Sequence, residues 1–225
     1  MAVGVVAAAL SAGISGGAVA SAPAERGEAF QSTDTVPPPP GCGRVIVIGD
    51  SLMDNSAPWL RSELRGAGHD YFVDAQPSRR IPERVRAPYS GVKAARSARA
   101  TFGEADCWVV ALGSNDLVYG GGDADQADAM VGQMLAAVTP DASVWWVNVN
   151  YHRDPRTSFD FVSATATFNR VVDDRAAVDP DLHVIDWYTL SEGHLAWFFD
   201  PVHVDRTGSI VRAEFTVDAL PPPRP

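Results

Sequence analysis

The sequence predicts an α/β fold in which a parallel β-sheet is covered by helices on both faces. Short apolar runs that end abruptly at Gly, Asp or Asn are typical of strands buried on both faces. Longer segments between these runs carry apolar residues at helical spacing, so strands and helices alternate along the chain. Crossovers between parallel strands are almost always right-handed, which leaves few ways to connect such elements.

The predicted domain covers residues 43–220, and its strands are expected at the apolar runs. The first run is built almost wholly from Val and Ile, which favour strands, and it stops at Gly49-Asp50-Ser51. The five runs are Arg44–Ile48, Tyr71–Ala75, Trp108–Leu112, Val144–Val149 and Leu182–Asp186.

Helices are expected in the segments between and after the strands. The clearest begins at Asp123, because Asp123 and Asp125 place carboxylates in its first turn, where they suit the helix dipole. Its apolar residues between Ala127 and Val138 form one stripe. Gly66 and Gly68 end the first helix, and the aromatic-rich stretch after the fifth strand is expected to be a loop. The predicted helices cover about 52–65, 90–100, 123–138, 161–172 and 207–220.

Composition limits the classes of function. The chain has 225 residues, of which 46% are hydrophobic, so it can bury a sizeable core. A formal net charge of −10 argues against nucleic acid as a partner, because phosphates repel an acidic surface. Basic residues are densest between Arg79 and Arg99, where we expect a solvent-facing helix and loop.

The first 24 residues predict a secretory signal peptide. They carry no charged side chain and are rich in Ala, Val and Gly, and sites for a signal peptidase follow at Ala18–Ala20 or Ala22–Ala24. An uncleaved membrane anchor is the alternative, although the many Gly and Ser residues weaken it. Residues 25–42 form a Pro-rich linker and residues 221–225 a Pro-rich tail. We therefore expect a secreted or cell-envelope protein.

The two cysteines, Cys42 and Cys107, precede the first and third strands at nearly equal distances. If these strands are parallel neighbours, both thiols lie at the same end of the sheet, and an oxidising compartment would join them in a disulfide. Closing that loop would contribute roughly 4 kcal/mol to stability. The alternative is two buried free thiols.

Polar residues that follow three of the strands are expected to meet at the carboxyl edge of the sheet, where parallel sheets bind ligands. Ser51 can act as a nucleophile if an imidazole takes its proton, and His203 can be that base. Asp200 can hold the other ring nitrogen. The Asn115 amide and the Ser51 backbone N–H can stabilise an oxyanion.

Each of these residues also has a simpler structural explanation. Ser51 can serve only as a helix cap, and Asp-x-x-His and Gly-x-Asn-Asp are common in turns. His183 falls in a strand and is expected to be a core residue, whereas His69, His152 and His194 fall in loops without ligand-spaced partners. The sequence therefore offers little support for a metal site. The joint occurrence of the polar groups, each after a strand, favours catalysis.

Three blocks together resemble the SGNH/GDSL hydrolase family, namely Gly49-Asp50-Ser51-Leu52, Gly113-Ser114-Asn115-Asp116 and Asp200-Pro201-Val202-His203. The resemblance implies a flavodoxin-like three-layer α/β/α sandwich with a five-stranded parallel sheet, and ester hydrolysis without metal or cofactor. It implies Ser51 as nucleophile, His203 as base, Asp200 as orienting acid and Asn115 as oxyanion donor. The family places a Gly in the loop after the second strand as a further donor, and Ser78 stands there in this chain.

The chain is also similar to the SGNH domains of bacterial cell-surface acyltransferases, which handle O-acyl groups on envelope polysaccharides. We therefore expect a monomeric, secreted esterase that forms an acyl-enzyme on O-acetyl or short-chain esters of small molecules or polysaccharides. One alternative is an O-acyltransferase. Another is a non-catalytic envelope module that binds a glycan or a partner protein, with Tyr151, Trp187 and Trp197 stacking on sugars.

Overall fold

The computed structural model describes residues 41–138 and 140–223, and these residues form a five-stranded parallel sheet. The strands are β1 (Arg44–Gly49), β2 (Asp70–Ala75), β3 (Cys107–Ala111), β4 (Ser143–Val147) and β5 (Leu182–Ile185). Their order is β2-β1-β3-β4-β5, which is the flavodoxin-like arrangement. The predicted signal peptide and the linker up to residue 40 lie outside the described residues.

Helices follow the strands, and each begins at a side chain that accepts a hydrogen bond from a free backbone N–H of the first turn. Asp50, for example, accepts from the Leu52 N–H at 3.0 Å. This contact leaves Ser51 free of the capping role that was its simpler explanation. The helices are α1 (Ser51–Gly66), α2 (Gly91–Phe102), α3 (Ala124–Leu135), α4 (Phe161–Ala176), α5 (Trp187–Glu192) and α6 (Arg206–Asp218).

Two hydrophobic cores lie on opposite faces of the sheet, because successive strand side chains point to opposite sides. Val45 and Val47 pack into the core beneath α1 and α6. Ile46 and Ile48 pack into the core beneath α2, α3 and α4. The predicted three-layer α/β/α sandwich is confirmed.

Cys42 and Cys107 are fully buried and form a disulfide, with their Cα atoms 5.3 Å apart. The register explains the pairing, because Cys107 lies opposite Val45 at the start of neighbouring parallel strands. The Cys42 N–H donates to the Pro221 carbonyl at 3.3 Å, so the start of the Pro-rich tail lies beside the start of the domain.

All the predicted elements are present in the described residues. Most of their boundaries differ from the predicted ones by one or two residues. One expectation was wrong. The stretch after β5 is not only a loop, since it contains α5 and a 3₁₀ turn at Leu195–Trp197. Trp187, the first residue of α5, is 1% exposed, so core packing rather than sequence periodicity holds this six-residue helix. None of the described helices is both long and apolar enough to cross a bilayer.

Candidate active site

The nucleophile candidate lies where β1 passes into α1. Gly49 allows this sharp turn, because a side chain there would collide with Met53. Ser51 is the first residue of α1, and its backbone N–H is one of the four at a helix start that have no partner within the helix. Its Oγ lies 3.0 Å from His203 Nε2.

The base candidate is held by a turn that begins at Asp200. The Asp200 Oδ1 atom accepts from the backbone N–H groups of Val202 at 2.8 Å and His203 at 2.7 Å. Its Oδ2 atom lies 2.8 Å from His203 Nδ1. Burial acts to raise the pKa of Asp200, but these hydrogen bonds and the nearby imidazole outweigh it and leave that pKa below its ordinary value. An ionised carboxylate only accepts, so it keeps the imidazole proton on Nδ1 and the Nε2 lone pair towards Ser51.

Ser78 lies in a turn from Gln76 to Arg79, closed by a 3.2 Å hydrogen bond from the Arg79 N–H to the Gln76 carbonyl. Pro77 takes the second position and Ser78, with φ of +61°, takes the third, as in a type II turn. Gly is usual at that position because an L side chain crowds the backbone there. Ser78 therefore adopts the conformation that Gly would, although whether its N–H serves as an oxyanion donor stays a prediction.

Arg79 corrects the expectation that the basic stretch faces solvent, because its side chain is buried beneath this turn and the residue is 1% exposed. The guanidinium donates to the carbonyls of Asp74, Pro88 and Gly49 at 2.6, 3.1 and 3.3 Å, and to the Asp74 carboxylate at 2.8 Å. Carbonyl and carboxylate oxygens thus replace water around the charge, and these contacts offset the free-energy cost of burying it.

Asn115 reaches the same place from the loop after β3. Its Nδ2 atom lies 3.2 Å from the Arg79 carbonyl and 3.4 Å from Asp50 Oδ2. Both contacts are long, so a substrate oxygen could replace either of them. The structure therefore brings the Asn115 amide next to the turn that holds Ser78.

Asp116, the next residue, ties this loop to the segment after Ser78. Its carboxylate accepts from the Ile81 N–H at 3.1 Å and lies 3.4 Å from Arg80 Nε. Burial raises the pKa of Asp116 to about 7, although the Ile81 N–H and the Arg80 guanidinium act to lower it. The loops that hold Asn115 and Ser78, the predicted oxyanion donors, are thus joined by a buried carboxyl group whose charge can change near neutral pH.

Sequence reasoning missed the role of Asp50. The residue is 1% exposed, and its carboxylate accepts from Ser114 Oγ as well as from Leu52 N–H and Asn115 Nδ2. A polar residue placed directly after a fully buried strand was the available signal, since a buried carboxylate needs partners.

The aromatic residues that the binding-module alternative assigns to sugar stacking are packed against other side chains. Trp187 is buried, the Tyr151 ring stacks on Phe161 with centroids 3.8 Å apart, and the Trp197 ring stacks on His194 at 3.9 Å. Phe199 is exposed beside the site, and its ring lies 5.8 Å from the His203 ring. Tyr119 is also exposed, and its ring lies against the Arg80 guanidinium.

Within residues 41–138 and 140–223, no group of three or more His, Cys, Asp or Glu residues is arranged to hold a metal ion. His183, expected in the core, is half-buried on β5 and stacks on Trp145 with ring centroids 4.3 Å apart.

Comparison with known proteins identifies the fold. No protein-family model and no curated protein matches the chain, but solved structures do. The C-terminal catalytic domain of peptidoglycan O-acetyltransferase A from Streptococcus pneumoniae is 15% identical, with a TM-score of 0.57 over 79% of this chain and 89% of that one. A carbohydrate acetylesterase family member from Sinorhizobium meliloti is 16% identical, with a TM-score of 0.57 over 78% and 95%. A member of the lipolytic G-D-S-L family from Veillonella parvula is 15% identical, with a TM-score of 0.60 over 78% and 97%. The chain has the fold of the SGNH/GDSL hydrolases.

Proposed function

We propose that this chain, which has the SGNH/GDSL hydrolase fold, is a serine-dependent ester hydrolase of that family. The observation that carries the proposal is the relay in which Asp200 lies 2.8 Å from His203 Nδ1 and His203 Nε2 lies 3.0 Å from Ser51 Oγ. Both distances allow the proton transfers that a weak serine nucleophile needs.

The reaction begins when Ser51 Oγ attacks the ester carbonyl carbon and His203 Nε2 takes the hydroxyl proton. The negative charge that develops on the carbonyl oxygen is stabilised by the N–H of Ser51, the amide of Asn115 and the N–H of Ser78. His203 then gives the proton to the departing alcohol, which leaves an acyl group on Ser51. Water then attacks the acyl carbonyl carbon while His203 takes its proton, and the bond to Ser51 Oγ breaks as His203 returns that proton to the serine, which releases the acid.

The proposed substrates are O-acetyl or other short-chain acyl esters, on small molecules or polysaccharides. This proposal is supported by two structural neighbours whose names refer to acetyl groups on carbohydrate or peptidoglycan. The disulfide supports an oxidising compartment, because such bonds persist outside the cytoplasm. We therefore place the enzyme in the cell envelope or outside the cell.

The second candidate is an O-acyltransferase, and the likeness to an O-acetyltransferase domain favours it. The acyl-enzyme would form in the same way, but a sugar hydroxyl would take the place of water in the second step. Hydrolysis and transfer can be distinguished by measuring the products of p-nitrophenyl acetate turnover with and without oligosaccharide. A transferase yields acetylated sugar in place of part of the acetate.

Two measurements test the shared first step. Wild-type chain should hydrolyse p-nitrophenyl acetate and should be labelled at Ser51 by a fluorophosphonate probe, whereas Ser51→Ala should do neither. Equal turnover by the two proteins would remove Ser51 from the mechanism. An unlabelled wild-type protein without turnover would instead favour a binding module that keeps the fold.

A further inference from the structure

A buried cation lies beneath the candidate active site and has no role in the relay. Arg212, in α6, is 2% exposed, and its Nε and Nη1 atoms have no hydrogen-bond partner among the described residues. Its guanidinium carbon lies 5.0 Å from the centre of the Trp187 ring. Burying a charged group without a partner is costly, so this arginine needs a compensating negative charge.

That negative charge is offered by Asp50. Arg212 and Asp50 line the same small cavity, together with Ser114 and Asn148 and several apolar residues. The cavity has a volume of about 10 Å³, which is about the space that one water molecule needs. The two buried charged groups therefore share one small cavity beside the start of α1.

Asp50 connects Arg212 to the residues of the proposed site through its hydrogen bonds. It caps the helix that begins with Ser51 and accepts from Ser114 Oγ and from Asn115 Nδ2. An ionised carboxylate can accept all of these hydrogen bonds together. A protonated one gains a donor, which competes for the Ser114 hydroxyl and turns the Asn115 amide away.

We propose that Arg212 is a positioning residue that keeps Asp50 ionised across the cavity and thereby aligns Asn115 and the start of α1 for oxyanion stabilisation. The catalytic part of this inference rests on the proposed esterase function. The charge pairing does not, because it concerns two buried groups that line one cavity whether or not a substrate binds.

The groups around Asp50 define what Arg212 contributes. Burial is the largest influence and leaves the pKa of Asp50 above its ordinary value, whereas the Ser114 hydrogen bond, the Arg212 charge and the Leu52 N–H limit that rise, with a smaller contribution from His203. Asp116, in the loop after β3, is close enough for the charge of Asp50 to raise the pKa of Asp116. Burial likewise lowers the pKa of Arg212 to about 10, and Asp50 opposes that shift. Without Arg212, burial would favour the protonated form of Asp50 further.

The experiment compares kcat for p-nitrophenyl acetate from pH 5.5 to 9 in the full-length chain. Arg212→Met should retain about one tenth of wild-type kcat at the acid end of this range and recover to within about twofold at the alkaline end, because raising the pKa of Asp50 by one unit lowers its ionised fraction by up to about tenfold. Arg212→Lys keeps a cation and should give a flat ratio to wild-type kcat, as should the control Arg206→Met on the exposed start of the same helix.

A double-mutant cycle separates this role from simple packing. Asp50→Asn imitates the protonated carboxyl, so adding Arg212→Met to it should cause no further loss and no pH dependence. A pH-independent loss in Arg212→Met, or a double mutant that loses the product of the two single effects, would overturn the proposal. If Arg212→Met does not fold, Arg212→Gln takes its place.

Thermal unfolding of the same variants tests the pairing even if the chain is not an esterase. In Arg212→Met the folded-state pKa of Asp50 is raised further above its unfolded value, so its stabilising contribution is lost as pH rises. The Tm gap between wild type and Arg212→Met should therefore widen from pH 5.5 to 9 and should be constant in the Asp50→Asn background. A constant gap in both backgrounds would refute the charge pairing.

Discussion

The two sides of the candidate site are held in different ways. On the base side, the hydrogen bonds that orient His203 come from Asp200, three residues earlier in the chain. On the oxyanion side, Ser78 and Asn115 belong to different loops and depend on the buried charges of Arg79 and Asp116. A local turn thus positions the proposed base, whereas contacts between distant segments position the proposed oxyanion donors.

This difference predicts how each side responds to change. The base side should keep its geometry in any variant that leaves its short turn intact. Asp200 stays ionised over the working pH range because its pKa is lowered. The oxyanion side should respond to substitutions far along the chain and to pH, because Asp116 titrates near neutrality. The following predictions test this contrast.

The largest expected effect is on the base side. His203→Ala should lower kcat by about 10⁶-fold, because Ser51 then has no group to take its proton, and Asp200→Ala by about 10⁴-fold, because the imidazole loses only its orientation. Turnover of p-nitrophenyl acetate by purified variants measures both losses. Equal losses would contradict the assignment of proton transfer to His203 and of imidazole orientation to Asp200.

The next effect is the dependence of stability on pH through Asp116. Its folded-state pKa of about 7 lies above the ordinary value of 3.8, so its stabilising contribution is complete below pH 4 and is lost as pH rises to 7. That loss amounts to about 4 kcal/mol. Asp116→Asn cannot titrate. In urea unfolding from pH 4 to 8, its free energy of unfolding should therefore rise relative to that of wild type by up to about this amount.

The Arg80 contact gives a second arm to the same measurement. Arg80 contacts Asp116 and lowers the pKa of that carboxyl, so in Arg80→Met the loss of stability should be larger in total and should continue to a higher pH than in wild type. A parallel pH dependence in wild type, Arg80→Met and Asp116→Asn would show that Asp116 does not titrate in this range.

Asn115→Ala tests the oxyanion side directly. Removing one oxyanion donor typically lowers kcat by about 10²–10³-fold, and KM for p-nitrophenyl acetate should change little because the charge develops only in the transition state. Asn115→Asp keeps the shape but places a carboxylate near the developing charge, so it should be at least as slow. If Asn115→Asp retained activity, the amide would not face the oxyanion.

The strands and the Asp200–His203 turn were predictable from sequence because their signals are local. An apolar run ending in Gly-Asp-Ser predicts a buried strand, and an Asp three residues before a His predicts a hydrogen-bonded turn. The burial of Arg79 and Arg212 was not predictable. Whether an arginine lies in solvent or in the core depends on carbonyl and carboxylate groups that the fold brings from elsewhere, such as Gly49 and Asp50.

The smallest expected effect concerns the backbone strain at Ser78. Ser78 and Asp141 are the non-glycine residues with positive φ in the described part of the chain, at +61° and +65°. Replacing either with Gly should relieve similar strain, giving about 1 kcal/mol of stability after the entropy of Gly is subtracted and a rise in Tm of about 2–4 °C. Thermal unfolding measures both gains, and Asp141→Gly is the matched control.

The kcat of Ser78→Gly then shows what holds the oxyanion turn in place. If Arg79 fixes the turn from beneath, the N–H of residue 78 does not move when the strain is removed, and kcat should agree with wild type within about twofold. A larger change in kcat for Ser78→Gly, with none for Asp141→Gly, would mean that the side chain at position 78 helps to set the position of the donor. The oxyanion side would then depend on a local residue, as the base side does.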